Sequence, residues 1–248
     1  MLILIPPSET KRSGGGFLCL DWAGLRYPSL TTRRRALARA LVKLSQHPDA
    51  AMAALKLGRT QTAEIERNRL LLTSPGMAAI DRYTGVLYDA LDADSLSAAA
   101  RAFAAEHLVV HSALFGPIAA LDPIPAYRLS HDSRVPGHPL KAHWTVSVTK
   151  ALRSADGLVL DLRSEGYASL GAAPAGPHSY FLRVVTVTAD GHTRAMNHFN
   201  KKWKGLFTRA LLEHVEDFAT IDDLLVWAPG AGFTVRVGDV PGILLLVV

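Results

Sequence analysis

Short apolar runs alternate along the chain with longer stretches of helical period. Residues 1–5 are uniformly apolar, which predicts a buried central strand. Pro6 and Pro7 end this strand because neither residue can donate a hydrogen bond to a sheet. Other apolar runs of strand length predict strands at residues 108–110, 158–162, 180–188 (before a turn at 190–191), 233–237 and 243–248.

Helical spacing of apolar residues begins after Thr31, which we expect to cap a first helix. Pro48 interrupts that helix, and Asp49 can cap a second, short one. The same periodicity predicts further helices at residues 60–72, 95–107, 141–151, 199–215 and 221–228.

The stretch 115–139 is rich in proline and has no regular period. We interpret it as a long loop, which in a compact domain is usually functional. The order of elements predicts an α/β fold of the mixed α+β kind, with a mixed sheet flanked by helices. We find no internal repeat or low-complexity linker, so residues 1–248 are expected to form one domain.

Composition narrows the class of protein. The 248 residues are 49% hydrophobic and 20% charged, which is enough apolar material for a core and argues against disorder. No run reaches the roughly 20 apolar residues of a membrane span, and the first residues do not resemble a signal peptide. Cys19 is the only cysteine, so no intrachain disulfide can form. We expect a cytoplasmic protein with no membrane partner.

The formal net charge of +5 permits an anionic partner without requiring one. Gly14–Gly15–Gly16 lacks the lysine and hydroxyl residue of a phosphate-binding P-loop, and no Gly-x-Ser-x-Gly nucleophile motif occurs. The ten histidines form no recognised ligand set. We therefore expect no metal and no cofactor.

Two early segments carry candidate ligand groups. Ser8 and Lys11 follow the first strand, where α/β proteins place ligand contacts, and both can address a phosphate; the alternative is an ordinary polar turn. Tyr83 and Thr84 lie between helical segments, and Tyr83 can stack on a base. The alternative places Tyr83 in the core of a capped turn.

The long loop contributes Tyr127 and Arg128. The planar guanidinium of Arg128 suits phosphate or carboxylate, and Tyr127 is a rigid neighbour for it. The alternative is an arginine that ties the loop to backbone carbonyls.

The exit of the strand at residues 158–162 concentrates Arg163, Ser164, Glu165 and Tyr167. Such a set is typical of an active-site rim. Glu165 is a candidate general base if partly buried, and Tyr167 is a second catalytic candidate. The alternative is a solvated turn.

The helix predicted at 199–215 begins with Asn200, Lys201 and Lys204. Lys201 and Lys204 are three residues apart and share a helix face. Near the helix N-terminus, two lysines and free backbone N–H groups would form an anion site. The alternative is a solvated basic face.

Taken together, these segments resemble the YaaA family. The matching blocks run through the chain in the family's order, at residues 1–11, 82–88, 112–116, 122–129, 161–167 and 200–205. The sequence departs from the family pattern after Trp144, where a basic residue and proline often follow, and at Leu206, where an arginine is usual. Both departures remove positive charge.

The resemblance implies an unusual α/β fold in which helices wrap a sheet, and a positively charged cleft. It also implies a role in protection against hydrogen peroxide by limiting free iron and so oxidative damage to DNA. Binding of double-stranded DNA through a helix-hairpin-helix-like element is attributed to the family. By charge, residues 59–72 are the best candidate for that element.

Two functional hypotheses remain open at this point, besides an interaction scaffold. The first is a DNA-binding stress protein without catalysis, whose phosphate contacts are Lys11, Arg128, Lys201 and Lys204. The second is an enzyme acting on a nucleotide or nucleobase-like molecule. In that enzyme Arg128 and Lys201 would hold an anionic group, Tyr83 or Tyr127 would stack, and Glu165 would be the acid–base group. The residues favour neither a particular substrate nor an oligomeric state.

Overall fold

The computed structural model describes residues 1–16, 20–187, 193–195 and 200–248. Its strands are β1 (Leu2–Ile5), β2 (Met77–Ala78), β3 (Leu108–Ser112), β4 (Gly116–Ala119), β5 (Pro123–Ile124), β6 (Val159–Asp161), β7 (Ser179–Val187), β8 (Thr193–Ala195), β9 (Thr234–Val237) and β10 (Ile243–Val247).

The helices lie between and around these strands. They are α1 (Thr31–Ser45), α2 (Pro48–Leu55), α3 (Ala63–Arg69), α4 (Ala79–Arg82), α5 (Val86–Leu91), α6 (Ala98–His107), α7 (Leu140–Leu152), α8 (Glu165–Ala168), α9 (Asn200–His214) and α10 (Ile221–Trp227). Short 3-10 turns occur at Pro28–Leu30, Arg59–Gln61, Ala93–Ser95 and Ala228–Ala231.

One mixed sheet organises the molecule, in the strand order β4-β3-β1-β6-β7-β10-β9. Strands β3, β1, β6, β7 and β10 run parallel to one another, and β4 and β9 pair antiparallel to them on either side. Strand β8 pairs with the end of β7, and β2 pairs with β5 outside this sheet. The predicted mixed α/β fold, with a sheet wrapped by helices, is confirmed.

Strand β1 occupies the middle of the sheet, between β3 and β6. All four of its residues are buried, as parallel strands covered on both faces require. The apolar run at residues 1–5 therefore has a direct physical cause, and the prediction of a buried central strand is confirmed. Burying each such aliphatic side chain stabilises the fold by about 1.5–3 kcal/mol.

Helix α1 is fixed to the sheet edge by a buried cation. Arg34 is fully buried, and its Nε donates to the carbonyl oxygen of Phe115 at 2.7 Å while its Nη2 donates to that of Pro117 at 2.8 Å. Burial lowers the pKa of this guanidinium to about 10, which still leaves it charged at neutral pH. Arg34 thus ties the helix to β4 and the turn before it.

Several predicted boundaries were wrong. Thr31 does not cap α1, because the turn at Pro28–Leu30 runs directly into the helix and the Thr31 hydroxyl instead donates to the carbonyl of Trp22. Pro48 starts α2, where its missing N–H costs nothing. The helix predicted at 60–72 is shorter, since Ala63–Arg69 alone is α-helical.

The proline-rich stretch 115–139 is not wholly a loop. It contains β4 and β5, which are too short to show a period in the sequence. The turn predicted at 190–191 lies outside the described residues. Within the described ranges, no helix combines the length and apolarity needed to cross a membrane.

Candidate functional site

A cleft of about 520 Å³ opens beyond the carboxyl ends of β1 and β6. Because these strands are parallel, the segments that follow them emerge at the same edge of the sheet. The cleft is lined by parts of four segments, at residues 6–9, 84–88, 130–131 and 162–167, and by the first turns of α9. Its volume is in the range of small-ligand sites.

Two lysines on α9 supply the positive charge that lines the cleft. Lys201 is exposed, whereas Lys204 is only 5% exposed, and the Lys204 Nζ donates to the carbonyl oxygen of Arg163 at 3.2 Å. Burial lowers the pKa of Lys204 to about 8, although the carboxylates of Asp161 and Glu165 oppose that shift. One ammonium is therefore mobile and hydrated, and the other is fixed and desolvated.

Asn200, one helical turn before Lys204, also lines the cleft. Its Oδ1 is buried and accepts no hydrogen bond from the described residues. A buried acceptor without a partner costs about 1–3 kcal/mol. A ligand that donates an N–H or O–H to this oxygen would recover that cost.

The segment after β1 is held by Lys11 from behind the cleft wall. The Lys11 Nζ donates to the carbonyl oxygens of Ser8 at 3.0 Å and Glu9 at 3.2 Å, and it lies 4.1 Å from the ring centroid of Tyr127. Burial lowers the pKa of this lysine to about 7, a shift to which the charge of Arg128 adds. Lys11 therefore positions Ser8 and Glu9, and does not itself line the cleft.

Arg128 is likewise a wall residue. Its Nη2 donates to the Glu9 carboxylate at 2.6 Å, while its own backbone is held by both ends of the Asn68 amide. Asn68, rather than the arginine, ties this part of the loop in place. The Arg128 Nε is buried and has no partner among the described residues.

The two tyrosines proposed to stack on a ligand form part of a buried hydrogen-bond chain. Ser112 Oγ accepts from the N–H groups of Leu114 and Phe115, which occupies both of its lone pairs. Its own proton is therefore donated to the Tyr127 hydroxyl at 2.6 Å, and Tyr127 donates to Tyr83 at 2.7 Å. Both rings are at most 2% exposed, so neither faces the cleft in this conformation.

Arg163 is fully buried in a polar network at the end of β6. Its Nε and Nη2 donate to the two carboxylate oxygens of Asp161, at 2.8 and 2.5 Å, and its Nη1 donates to the carbonyl of Gly171 and to Nδ1 of His111. All three guanidinium nitrogens donate hydrogen bonds within this network, and the side chain has no exposed surface. Arg163 therefore cannot also bind a phosphate, and its contribution to the cleft is the carbonyl that holds Lys204.

His111 is the neutral member of that network. Burial, with the adjacent charge of Arg163, holds its pKa well below 6.5. Because Nδ1 accepts from Arg163, the ring proton is on Nε2, which has no hydrogen-bond acceptor among the described residues.

This histidine should make the protein less stable in mild acid. Below about pH 6.5 the unfolded chain protonates His111 and the folded chain does not, so stability present above that pH is lost as the pH falls. We expect the free energy of unfolding to fall as the pH drops below about 6.5, measured by urea unfolding. In the His111→Gln variant, unfolding in this pH range should take up about one proton fewer, so the free energy of unfolding should depend less on pH. An unchanged pH dependence would contradict the assignment.

The fourth segment places its two catalytic candidates differently. The side chain of Glu165 is 82% exposed, with Arg183 3.6 Å away, so the condition of partial burial is not met. Tyr167 is 7% exposed, lines the cleft and lies edge-on to the ring of His131, with 5.1 Å between centroids. The close approach of His131 requires Gly166, since a Cβ there would lie 2.6 Å from the imidazole.

The structure thus sorts the predicted residues into three groups. Seven line the cleft together: Ser8, Thr84, Ser164, Tyr167, Asn200, Lys201 and Lys204. Five lie behind its wall: Lys11, Tyr83, Tyr127, Arg128 and Arg163. Glu165 points to solvent.

The polar and aromatic lining residues that sequence reasoning did not propose as site residues include Glu9, Tyr88, Ser130 and His131. Tyr88 donates to the carbonyl of Pro6 at 2.9 Å and so joins α5 to the exit of β1. The position of Tyr88 near Tyr83 and Thr84 in the sequence could have indicated that it lines the cleft. Nothing in the sequence around Ser130 and His131 indicates this for them. Among the described residues, no group of three or more histidine, cysteine or acidic side chains is placed to hold a metal ion.

These features define a mixed α/β protein with a ligand-sized cleft at the carboxyl ends of its central parallel strands. A family model described as peroxide stress protein YaaA matches residues 1–236. The chain is 40% identical over 244 residues to a UPF0246 protein of Corynebacterium efficiens, and the match covers 96% of both chains. It is 42% identical over 241 residues to a UPF0246 protein of Corynebacterium glutamicum, and that match covers 95% of both chains. A UPF0246 protein of Streptomyces coelicolor is 41% identical over 216 residues, or 86% of this chain and 83% of the relative. The chain belongs to the YaaA peroxide stress protein family.

Proposed function

We propose that this protein acts in the cytoplasm during peroxide stress by binding a phosphate-bearing ligand in the cleft, with Lys201 and Lys204 as its anion contacts. The observation that carries the proposal is that two lysines and the buried Oδ1 of Asn200, which has no partner among the described residues, line the cleft from one edge of α9. The first turn of a helix adds partial positive charge and free N–H groups at the same place.

The charge balance of the lining supports an anionic ligand. Besides the two lysines, the lining contains one carboxylate, that of Glu9, and Arg128 already neutralises it from behind. The hydroxyls of Ser8, Thr84 and Ser164 add neutral hydrogen-bonding groups. Among the residues that the structure describes, a phosphate entering this cleft meets two lysines and no carboxylate that lacks a cationic partner.

The ligand's size distinguishes two forms of this proposal. In the first, duplex DNA lies across the mouth and places a backbone phosphate between the lysines, so that the protein limits iron-dependent damage to the DNA it covers. In the second, the protein is an enzyme for a nucleotide or nucleobase-like small molecule. The enclosed volume of about 520 Å³ favours the second, since it accommodates one nucleotide but not a duplex.

Fluorescence anisotropy tests both forms with labelled nucleotide and labelled short duplex DNA at several salt concentrations. We expect Lys201→Gln to weaken nucleotide binding about tenfold, because a hydrogen bond to a charged group is worth about 1.5–3 kcal/mol. Lys202→Gln is the matched control, as Lys202 is exposed on the same turn and does not line the cleft. Equal effects of the two substitutions would contradict the assignment.

The salt dependence separates the two ligands. Duplex binding through several phosphates should give log Kd a slope of about 0.9 per contact against log salt, and unlabelled nucleotide should not displace the duplex. Saturable nucleotide binding with little salt dependence would identify the small-molecule form. The peroxide role is tested by whether the Lys201→Gln variant restores hydrogen peroxide resistance to cells lacking the protein.

A further inference from the structure

Lys204 is a buried amine that borders the cleft. Among the described residues its Nζ has one hydrogen-bond acceptor, the carbonyl of Arg163 at 3.2 Å. A charged ammonium has three donors to satisfy, whereas a neutral amine needs far less. Although the Phe181 ring, 5.6 Å from Nζ, faces the cation, burial with one acceptor leaves the charged form less stabilised than in an exposed lysine. A share of the group is therefore neutral and keeps a lone pair for reaction.

The backbone around Lys204 is held tightly. The neighbouring Gly205 packs against the backbone of α5, so closely that a Cβ on it would lie 2.2 Å from the carbonyl oxygen of Leu87. The Thr208 hydroxyl donates to the Lys204 carbonyl at 2.7 Å. With its backbone fixed and its Nζ anchored to Arg163, the amine is presented to the cleft in one position.

The burial of Lys204 favours amine chemistry at this position. Lysines become nucleophiles in proteins when they are desolvated or when another cation is adjacent. Lys204 has the first feature, since its side chain is buried where it borders the cleft. The pKa of about 8 that burial gives this group is consistent with a reactive share of neutral amine near neutral pH.

We propose that Lys204 forms an imine with the carbonyl carbon of a phosphorylated aldehyde or ketone bound in the cleft. The inference rests on the proposed function, because Lys201 is what holds the phosphate. The Nζ lone pair attacks the carbonyl carbon to give a carbinolamine. Loss of its hydroxyl with the second nitrogen proton forms C=N and releases one water, so the step needs no oxidant or reductant.

Asn200 is placed to assist this step by direct contact with the intermediate. Its side chain lies one turn before Lys204 on the same edge of α9, and its buried Oδ1 accepts no hydrogen bond from the part of the chain that the structure describes. The carbinolamine hydroxyl is a donor that the starting carbonyl lacks. An acceptor at this place therefore stabilises the intermediate more than the bound substrate.

Lys11 provides an internal comparison. Burial lowers its pKa further, to about 7, yet its Nζ is committed to the Ser8 and Glu9 carbonyls and does not border the cleft. If a lowered pKa alone determined reactivity, Lys11 would react first. The geometry instead assigns the reaction to Lys204.

The test is reductive trapping with dihydroxyacetone phosphate and sodium cyanoborohydride on the full chain, followed by peptide mass mapping. We expect one adduct, at Lys204, formed at least tenfold faster than at exposed Lys202, and slowed by inorganic phosphate. The rate should rise by about tenfold per pH unit below pH 8 and then level off, because it follows the neutral amine. Lys204→Met should abolish the adduct, and Lys202→Met should leave it unchanged.

The imine proposal would be overturned if Lys204 were trapped no faster than Lys202. Preferential trapping at Lys11 would overturn it as well. Nucleotide binding measured separately would then still decide the proposed function. If unphosphorylated dihydroxyacetone were trapped at Lys204 as fast as its phosphate, the imine would stand and the phosphate-binding function would fail. Lys201→Gln should lower the trapping rate only for the phosphorylated probe.

Discussion

Replacing Arg163 with alanine should lower the free energy of unfolding by about 3–5 kcal/mol. The substitution leaves the 5%-exposed carboxylate of Asp161 without its cation and the Nδ1 of His111 without its donor. A buried charge left unpaired costs far more than the net value of the pair, because its desolvation is no longer offset. Urea unfolding monitored by circular dichroism measures the loss.

Arg183→Ala is the matched control for this prediction. Arg183 also belongs to the central sheet and also faces a carboxylate, but its side chain is 52% exposed and its contact with Glu165 is 3.6 Å long. Exposed ion pairs contribute about 0–1 kcal/mol, so this variant should unfold almost as the parent does. If Arg163→Ala lowered the free energy of unfolding by less than about 1 kcal/mol, the prediction would be wrong, because water would then have replaced the guanidinium.

The predictable part of the fold follows from local pattern and elementary topology. The apolar run at residues 1–5 predicts a strand covered on both faces, and the structure places it between two parallel neighbours inside the mixed sheet. The polar segments after β1 and β6 then had to emerge at one edge. That reasoning is sufficient to bring Ser8, Ser164 and Tyr167 together.

Which polar side chains face the cleft could not be read from the same pattern. Arg163 and Ser164 are neighbours in sequence, yet the first is fully enclosed and the second lines the cleft. The enclosure of Arg163 depends on Asp161 next to it and on His111, 52 residues away. A single chain gives no sign of such a distant partner.

The loop over 115–139 shows the same limit. Arg128 has the residue type of an anion contact, but it pairs with Glu9, which lies 119 residues earlier. His131 carries no recognisable motif and enters the lining because Gly166 leaves room for its ring. Residue type pointed to segments that surround the cleft, and packing between distant segments decided which of their side chains line it.

Helix α9 connects the cleft to the core, and its closest approach to α5 is at Gly205. Asn200, Lys201 and Lys204 all depend on its position, and at Gly205 the helix approaches the backbone of α5. A Cβ at Gly205 would lie 2.2 Å from the carbonyl oxygen of Leu87 and 2.9 Å from the Cβ of Ala90. Backbone atoms cannot rotate aside, so the two helices would have to separate.

Gly205→Ala should therefore destabilise the protein by about 3 kcal/mol, at the upper end of the cost of overpacking. Helix propensity alone predicts the opposite sign, since alanine is favoured over glycine in a helix interior by about 1 kcal/mol. Gly230→Ala is the matched control, because nothing lies within 4 Å of its added Cβ and its stability should change by less than about 0.5 kcal/mol. Urea unfolding of the two variants decides between packing and propensity, and a stabilised Gly205→Ala would refute the close contact.

The same variant should weaken ligand binding more than Gly230→Ala does, because separating the helices moves both lysines.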